Sequence, residues 1–140
     1  FMQSIDHALE NGFTVTLDCD VSELSFSSKQ GVAVIPAQSE NVKLSVLGPE
    51  EEKVITQQYR QDEFENYNTT DDHLMHITGK AKDQNGTIYY KVKNSWGTDV
   101  NRTAYDGYVY MSASYIRLKA ISVLMHKDGI PTPISKKIKL

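Results

Sequence analysis

Two alternating runs on either side of Asn85-Gly86 constrain the fold more than any other feature of the sequence. Residues 73–79 form the first run and residues 88–94 form the second. Asn-Gly between two such runs is a strong signal for a β-hairpin, because both residues tolerate the positive φ angles of a tight turn. The sequence therefore predicts two antiparallel strands, with His73 at the start of the first and Asn94 at the end of the second.

Patterns elsewhere predict one helix and three further strands. Apolar residues among 2–9 recur at helical spacing, and Asn11-Gly12 after them is typical of a helix end. Residues 13–19 alternate apolar and polar side chains with the period of a half-buried strand. Apolar runs at 107–111 and 119–125 predict two more strands, with a short turn or helix between them.

The stretch between the first predicted strand and the hairpin has few core-forming signals. Residues 36–53 contain two prolines, Gly48 and a run of three glutamates, which is typical of a surface excursion. Residues 54–64 have loosely helical apolar spacing. The predicted order is helix, strand, excursion and four successive strands. This order indicates an α+β fold with one N-terminal helix and a mainly antiparallel sheet, curled towards a half-barrel.

Composition narrows the function classes. A chain of 140 residues is the size of one domain, and its net charge of −3, with basic residues clustered only at 136–139, argues against a nucleic-acid partner. No apolar run approaches the roughly 20 residues of a membrane span, so we expect no membrane insertion. A single cysteine, Cys19, excludes an internal disulfide and a cysteine-based zinc site.

The hairpin carries a candidate catalytic pair, His73 and Asn94. A neutral imidazole can act as a general base when its tautomer is fixed, and an asparagine oxygen that accepts from one ring nitrogen fixes it. The other ring nitrogen then remains available to a thiol. Trp96 follows closely and can shield this bond from water. On spacing alone, a loop-capping asparagine and a core tryptophan explain the same residues.

His73 and His76 suggest an alternative, a metal-binding pair. Residues three apart on a strand point to opposite faces of the sheet, which argues against a shared ion. We therefore expect neither a metal nor a cofactor, and a metal-binding protein remains the third-ranked function.

The strand register poses a geometric difficulty for the catalytic pair. If Asn85-Gly86 is a strict two-residue turn, Asn94 lies opposite Ile77. His73 then lies four residues, roughly 13 Å, further along its strand. For the pair to meet, the connection must be longer than two residues or a bulge must intervene.

Several segments together resemble one family. Asp72-His73, Asn94-Ser95-Trp96-Gly97 and Asp106-Gly107-Tyr108 resemble motifs of the papain-like cysteine peptidases. The segments 17–21 and 107–111 are similar to the bleomycin hydrolase and bacterial aminopeptidase C branch. The resemblance covers nearly the whole chain and implies the β-rich lobe of a papain-like fold.

The resemblance also implies roles for individual residues. His73 matches the catalytic histidine, Asn94 the asparagine that orients it, and Trp96 the tryptophan packed over both. Asp72 matches a position at the border of the substrate cleft. Thr16 and Leu74 match positions that line the pocket for the second side chain of the substrate.

The family's nucleophile has no counterpart in this sequence. Its Cys-Gly-x-Cys-Trp-like motif and its oxyanion glutamine are absent, and Cys19 matches a non-catalytic position. We therefore expect residues 1–128 to be the C-terminal lobe, residues 129–140 to be a tail ending at Leu140 that enters the cleft, and the N-terminal helical lobe to be absent. The isolated chain should be inactive.

The leading hypothesis is the C-terminal part of a cysteine aminopeptidase that acts on peptide substrates. In this family the implied partners are the N-terminal lobe and further copies in a hexamer, and the implied compartment is the cytoplasm. The alternative is a catalytically inactive papain-like homologue that acts as a binding or inhibitory module. A cysteine followed by tryptophan upstream in the parent gene would favour the enzyme.

Overall fold

The computed structural model describes residues 1–38 and 42–139. Within these residues, the helices and strands follow the order α1 (Met2–Glu10), β1 (Val15–Cys19), β2 (Phe26–Ser27), β3 (Val32–Ala33), α2 (Gln57–Glu65), β4 (His73–Lys82), β5 (Ile88–Lys93), β6 (Tyr108–Ser112), α3 (Ala113–Lys119), β7 (Ala120–Met125) and α4 (Thr132–Lys137). Short 3-10 turns at Tyr105–Gly107 and Lys127–Gly129 precede β6 and α4.

The strands form one seven-stranded sheet in the order β2-β3-β6-β5-β4-β1-β7. All neighbouring strands are antiparallel except β3 and β6, which are parallel. The predicted α+β class with a mainly antiparallel sheet is therefore confirmed. The predicted curl towards a half-barrel is not found: the strand order is linear, and β2 and β7 are two separate edges.

The elements with the clearest amphipathic patterns occur where the sequence predicts them. In α1, Ile5 and Ala8 are fully buried, and the helix ends before Gly12, whose φ of 80° suits glycine. In β1, buried and half-buried residues alternate along Val15–Cys19. The hairpin strands β4 and β5 are also present, and β4 extends to Lys82.

Three regions are more regular than the sequence patterns indicate. The stretch before residue 36 contributes two short strands, β2 and β3, which have only two residues each. The short turn or helix predicted near Ser112 is a seven-residue helix, α3, capped by the Ser112 hydroxyl, which accepts from the Tyr115 backbone N–H at 3.0 Å. The predicted tail contains α4, a six-residue helix with proline in its first turn.

One hydrophobic core lies on the side of the sheet that α1 and α3 cover. Tyr90, Val92 and Met111 contribute from the central strands, and Tyr115 and Ile116 contribute from α3. No helix within residues 1–38 and 42–139 has the length and apolar character needed to cross a bilayer.

Candidate active site

Two irregularities in the hairpin bring His73 close to Asn94. Asp83 and Thr87 close the connection through a backbone hydrogen bond of 3.1 Å, so the loop contains three residues instead of two. A bulge between Ile77 and Gly79 then shifts the register of β4 by one further residue. Beyond the bulge, Ile77 pairs with Val92, and continuing this register places Asn94 opposite Met75.

This register resolves the difficulty posed by a strict turn. Asn94 is now offset from His73 by two residues, or about 7 Å along the strand, instead of four. Side chains can bridge that offset on one face of a sheet. The sequence-based prediction that the connection exceeds two residues or contains a bulge is confirmed, and both features are present.

A short hydrogen bond links the two side chains. His73 Nε2 lies 2.7 Å from Asn94 Oδ1. The same oxygen accepts from the Ser95 backbone N–H at 2.7 Å, which identifies it as the carbonyl end of the amide. An oxygen can only accept, so Nε2 carries the proton and Nδ1 is the basic nitrogen of neutral His73.

The environment of Asn94 holds this geometry in place. Asn94 is 3% exposed, and its backbone N–H donates to Gly107 O at 3.0 Å. Gly107 has a φ of 80°, and a Cβ there would lie 2.4 Å from Gly97 O. Only glycine fits this close approach. Gly107 is therefore the residue in the sequence that could have indicated how the backbone of Asn94 is held.

Trp96 covers the imidazole on one side. Its ring centroid lies 4.9 Å from that of His73, at an interplanar angle of 32°. Phe26 packs edge-on against Trp96 at 5.9 Å. Trp96 is nevertheless 44% exposed, so the histidine is shielded on this side while an open surface remains nearby.

A buried ionic cluster holds in place the segment that precedes His73, and the sequence did not predict this cluster. Lys119 is 1% exposed and contacts Glu23 at 2.6 Å and Asp20 at 3.6 Å. Its Nζ also donates to Asn68 O at 2.6 Å, and Asp20 accepts from the Thr70 N–H at 2.9 Å. Residues 68–70 are thereby tied to the end of β1, directly before β4 begins.

Asp72 lies at the surface immediately before His73. One of its carboxylate oxygens accepts from the Val21 N–H at 3.3 Å and the other from the Thr70 hydroxyl at 2.7 Å.

Thr16 and Leu74 lie close to each other but on the other face of the sheet from His73. Leu74 is 64% exposed, whereas its neighbour Met75 is 4% exposed. Thr16 pairs with His76 across β1 and β4, so it shares the outer face with Leu74. The structure therefore does not bring these two residues to the His73–Asn94 pair.

His76 also belongs to this outer face. Its Nε2 contacts the Thr14 hydroxyl at 2.7 Å, and its Nδ1 contacts the Thr16 hydroxyl at 3.4 Å. His73 and His76 thus bind different partners on opposite sides of β4. Among residues 1–38 and 42–139, no group of three or more His, Cys, Asp or Glu side chains could hold a metal ion.

Cys19 on β1 lies opposite His73 on β4 but lacks the properties of a nucleophile. It pairs with His73 at the start of β4, is fully buried and donates its thiol proton to Asp20 O at 3.3 Å. Burial and the nearby charge of Asp20 raise the pKa of this thiol far above its ordinary value. It therefore remains protonated at neutral pH.

Leu140, predicted to end a tail in the cleft, lies outside the described residues. The preceding part of that tail packs near α1, where Gly129 O and His7 Nδ1 are 2.9 Å apart.

The comparisons agree with this architecture. The model of the peptidase C1-like family matches residues 1–139. The structure of PepW from Lactobacillus rhamnosis HN001 is similar with a TM-score of 0.68 and 20% identity, over 99% of this chain and 28% of that chain. The bromelain protease from Ananas comosus in complex with the E64 inhibitor gives 0.42 and 20%, over 80% of this chain and 40% of that chain. No curated protein sequence matches.

The structural likeness and the family match support two different conclusions. The chain spans less than a third of the length of the PepW chain, and at 20% identity that likeness shows the shared fold alone. The family match extends over nearly every residue, including both members of the hydrogen-bonded His73–Asn94 pair. The chain belongs to the peptidase C1-like family of cysteine peptidases.

Proposed function

We propose that this chain supplies the general acid/base of a cysteine aminopeptidase, with His73 as the proton carrier and Asn94 as its orienting residue. The observation that carries the proposal is the 2.7 Å bond from His73 Nε2 to Asn94 Oδ1, because it leaves Nδ1 as the basic nitrogen. Trp96 supports it by covering one side of the imidazole.

The proposed nucleophile is a cysteine from outside these 140 residues. Cys19 is unsuitable, because it is buried and its thiol is bonded to Asp20 O. An activated cysteine instead needs access to substrate and a depressed pKa, which a protonated histidine provides. The open surface beside His73 and Trp96 is where such a thiol would approach.

The proposed reaction uses His73 twice. The thiol proton moves to Nδ1, and the sulfur bonds to the carbonyl carbon of the substrate. As the C–N bond breaks, the Nδ1 proton passes to the leaving amine, and a thioester remains. Water then gives a proton to Nδ1 while its oxygen bonds to the thioester carbon. The C–S bond breaks, the carboxylic acid product leaves, and the proton on Nδ1 returns to the sulfur. Throughout these steps Asn94 keeps the ring in one orientation.

The preference for substrate amino termini rests on the resemblance to the aminopeptidase C branch. In that reading Asp72 borders the peptide cleft, and the tail ending at Leu140 engages the substrate's amino group. Thr16 and Leu74 lie on the outer face, so a role in side-chain recognition would require substrate to reach around the N-terminal end of β4. The N-terminal lobe and a hexameric assembly remain proposed partners.

The decisive experiment compares the complete protein that contains this chain with its His73→Ala variant. Release of amino-terminal residues from peptides should fall by about 10²- to 10⁴-fold, the usual contribution of a general acid/base. His76→Ala, on the same strand but bonded to Thr14, is the matched control and should retain activity. Equal activity of the wild type and the His73→Ala variant would end the proposal.

The second candidate is an inactive homologue that acts as a binding or inhibitory module. The observation in its favour is that the only cysteine of the chain is buried, with its thiol bonded to Asp20 O. An epoxide inhibitor that alkylates catalytic thiols discriminates the two: labelling of a second cysteine in the complete protein supports the peptidase, and no labelling supports the inactive homologue.

A further inference from the structure

A cavity of about 470 Å³ lies between the excursion and the sheet, on the side opposite the catalytic pair. Tyr89 lines it, whereas its neighbour Tyr90 is buried in the core together with Val92. Since side chains alternate along a strand, Tyr89 faces away from Tyr90 and Asn94. The volume is within the range of pockets that hold small ligands or single side chains.

Three tyrosines shape this cavity. Tyr89, Tyr105 and Tyr110 all line it, beside aliphatic residues of the excursion such as Val46 and Pro49. The rings of Tyr105 and Tyr110 pack edge to face, with centroids 5.3 Å apart. Aromatic walls with one open side suit a flat or cationic group that can stack on a ring.

Tyr105 is held in place at a conformational cost. Its φ is 46°, in the left-handed region that disfavours bulky side chains, yet the side chain is 58% exposed. A Cβ at Gly31 would lie 2.4 Å from the Tyr105 ring, so the ring lies directly over this glycine. Strain of this kind persists where the surrounding structure fixes it, and it is concentrated at functional sites.

An acidic side chain also lines the cavity. Asp83 lines it, and its Oδ1 accepts from the backbone N–H groups of Asn85 and Thr87. Its Oδ2 is buried without a hydrogen-bond partner in the described part of the chain, as is Oε1 of Glu52. Burial, together with the charges of Glu52 and Asp83, raises the pKa of Tyr89 to about 12.

We propose that this cavity binds an organic cation, a guanidinium group on an apolar stem such as an arginine side chain. A guanidinium is planar, so it can stack on a tyrosine ring while its N–H groups pair with a carboxylate. Asp83 is the counter-ion: a small rotation of its carboxyl group brings Oδ2, which is buried in the free chain, to the cavity surface. Tyr105 and Tyr110 are the stacking surface. Lys82, the cation among the lining residues, is exposed and lies at the rim.

The experiment titrates the 140-residue chain with N-acetyl-argininamide and follows backbone amide resonances by NMR. Saturable shifts should be centred on Asp83, Tyr89 and Tyr105. N-acetyl-citrullinamide has the same shape without the charge and should bind at least fivefold more weakly. The affinity for argininamide should fall with added NaCl, because salt screens the charge pair. An arginine-containing peptide then tests whether a polypeptide is the source of the cation.

Two variants localise the binding. Asp83→Asn keeps the Oδ1 acceptor of the turn but removes the charge, and it should weaken argininamide binding about tenfold, as expected for one partly buried charge pair. Tyr105→Leu should weaken it several-fold. Tyr67→Leu is the matched control, since Tyr67 also has a positive φ (61°) and is 84% exposed outside this cavity.

The unmodified chain alone can overturn the proposal, whatever the stability of the variants. Equal affinity for argininamide and citrullinamide would show that charge does not contribute. Shifts that never saturate, or that lie elsewhere on the chain, would show that the cavity is not a guanidinium site. Unchanged binding by folded Asp83→Asn would rule out its role as counter-ion.

Discussion

Replacing Lys119 by methionine should destabilise the fold more than any other loss of a single positive charge described above. The Lys119 side chain is 1% exposed and contacts Asp20, Glu23 and Asn68 O. Methionine retains most of the aliphatic stem, so the change isolates the ammonium group. Without it, the Asp20 carboxylate, also 1% exposed, stays buried without its cation.

The expected magnitude follows from the remaining partners of that carboxylate. Removing one member of a buried ion pair costs about 3–5 kcal/mol, because the other charge is left uncompensated. Asp20 keeps hydrogen bonds from Ser22 N at 2.7 Å, Ser22 Oγ at 2.6 Å and Thr70 N at 2.9 Å. Glu23 is one-third exposed and can be solvated. We therefore expect a loss near the lower limit, about 3 kcal/mol in the free energy of unfolding.

Urea denaturation followed by circular dichroism measures this loss, and Lys80→Met provides the matched control. Lys80 contacts Asp6 at 2.9 Å, but both side chains are about one-third exposed, at 29% and 34%. Exposed pairs contribute about 0–1 kcal/mol. Two lysine-to-methionine changes at ion pairs should thus differ by about 2 kcal/mol or more.

The difference should also depend on pH. Burial opposes ionisation of Asp20, but hydrogen bonds from Ser22 and Thr70 and the charge of Lys119 outweigh it, so its pKa lies below the ordinary 3.8. A lowered pKa adds stability above the unfolded value and loses it as pH falls through the folded value. Lys119→Met raises the pKa of Asp20, so the gap to wild type should be widest at neutral pH and should narrow below about pH 4.

Two results would contradict this account. Equal losses for Lys119→Met and Lys80→Met would mean that burial does not set the strength of these pairs. A gap that widens as the pH falls would mean that the charge on Asp20 is not the source of the instability.

Three further measurements test the site and the residues that support it. Gly107→Ala should cost more than 2 kcal/mol in urea denaturation, because it adds both a strained φ of 80° and a Cβ 2.4 Å from a backbone oxygen; Gly12→Ala, with the same φ and open space, should cost about 1 kcal/mol. Cys19 should resist iodoacetamide at pH 8 in the native chain and react on unfolding, since it is fully buried. Fluorescence of Trp96, the single tryptophan, should be stronger in His73→Ala than in the wild type, because an imidazole 4.9 Å from the indole can quench it.

Each of these has a clear opposing outcome. Equal costs at the two glycines would remove the close-contact argument. Rapid alkylation of Cys19 in folded protein, with loss of label in His73→Ala, would restore it as a nucleophile. Equal fluorescence of the wild type and His73→Ala would show that the imidazole does not quench Trp96.

The sequence predicted elements whose pattern repeats over several turns or pairs. The helix α1 and the strand β1 follow from their apolar periodicity, and the hairpin follows from Asn85-Gly86. The two-residue strands β2 and β3 are too short for alternation to be visible, and their position depends on a parallel pairing with β6 far along the chain. The short helix α4 likewise has no repeating apolar face.

The two residues of the hydrogen-bonded pair could be predicted from the sequence, but the residues that surround and support them could not. His73 and Asn94 stood out through their motif, and the need for an irregular register followed from counting residues along the hairpin. The cluster of Lys119 and Asp20 was not predictable, because a lysine in an apolar run reads as an exposed strand residue until its distant partners are known. Nor did the sequence show that Thr16 and Leu74 face away from the pair.

The loop of three residues and the bulge at Thr78 have a joint consequence for any variation in hairpin length. Each offsets the pairing by one residue, and an offset of one turns every side chain of a strand to the other face. With only one of them, Asn94 would oppose His76 on the outer face; with both, it returns to the face of His73. The total number of residues by which insertions and deletions offset this hairpin must therefore be even. They must occur in compensating pairs, because a single-residue insertion or deletion at either place should turn Asn94 to the face of the sheet opposite His73.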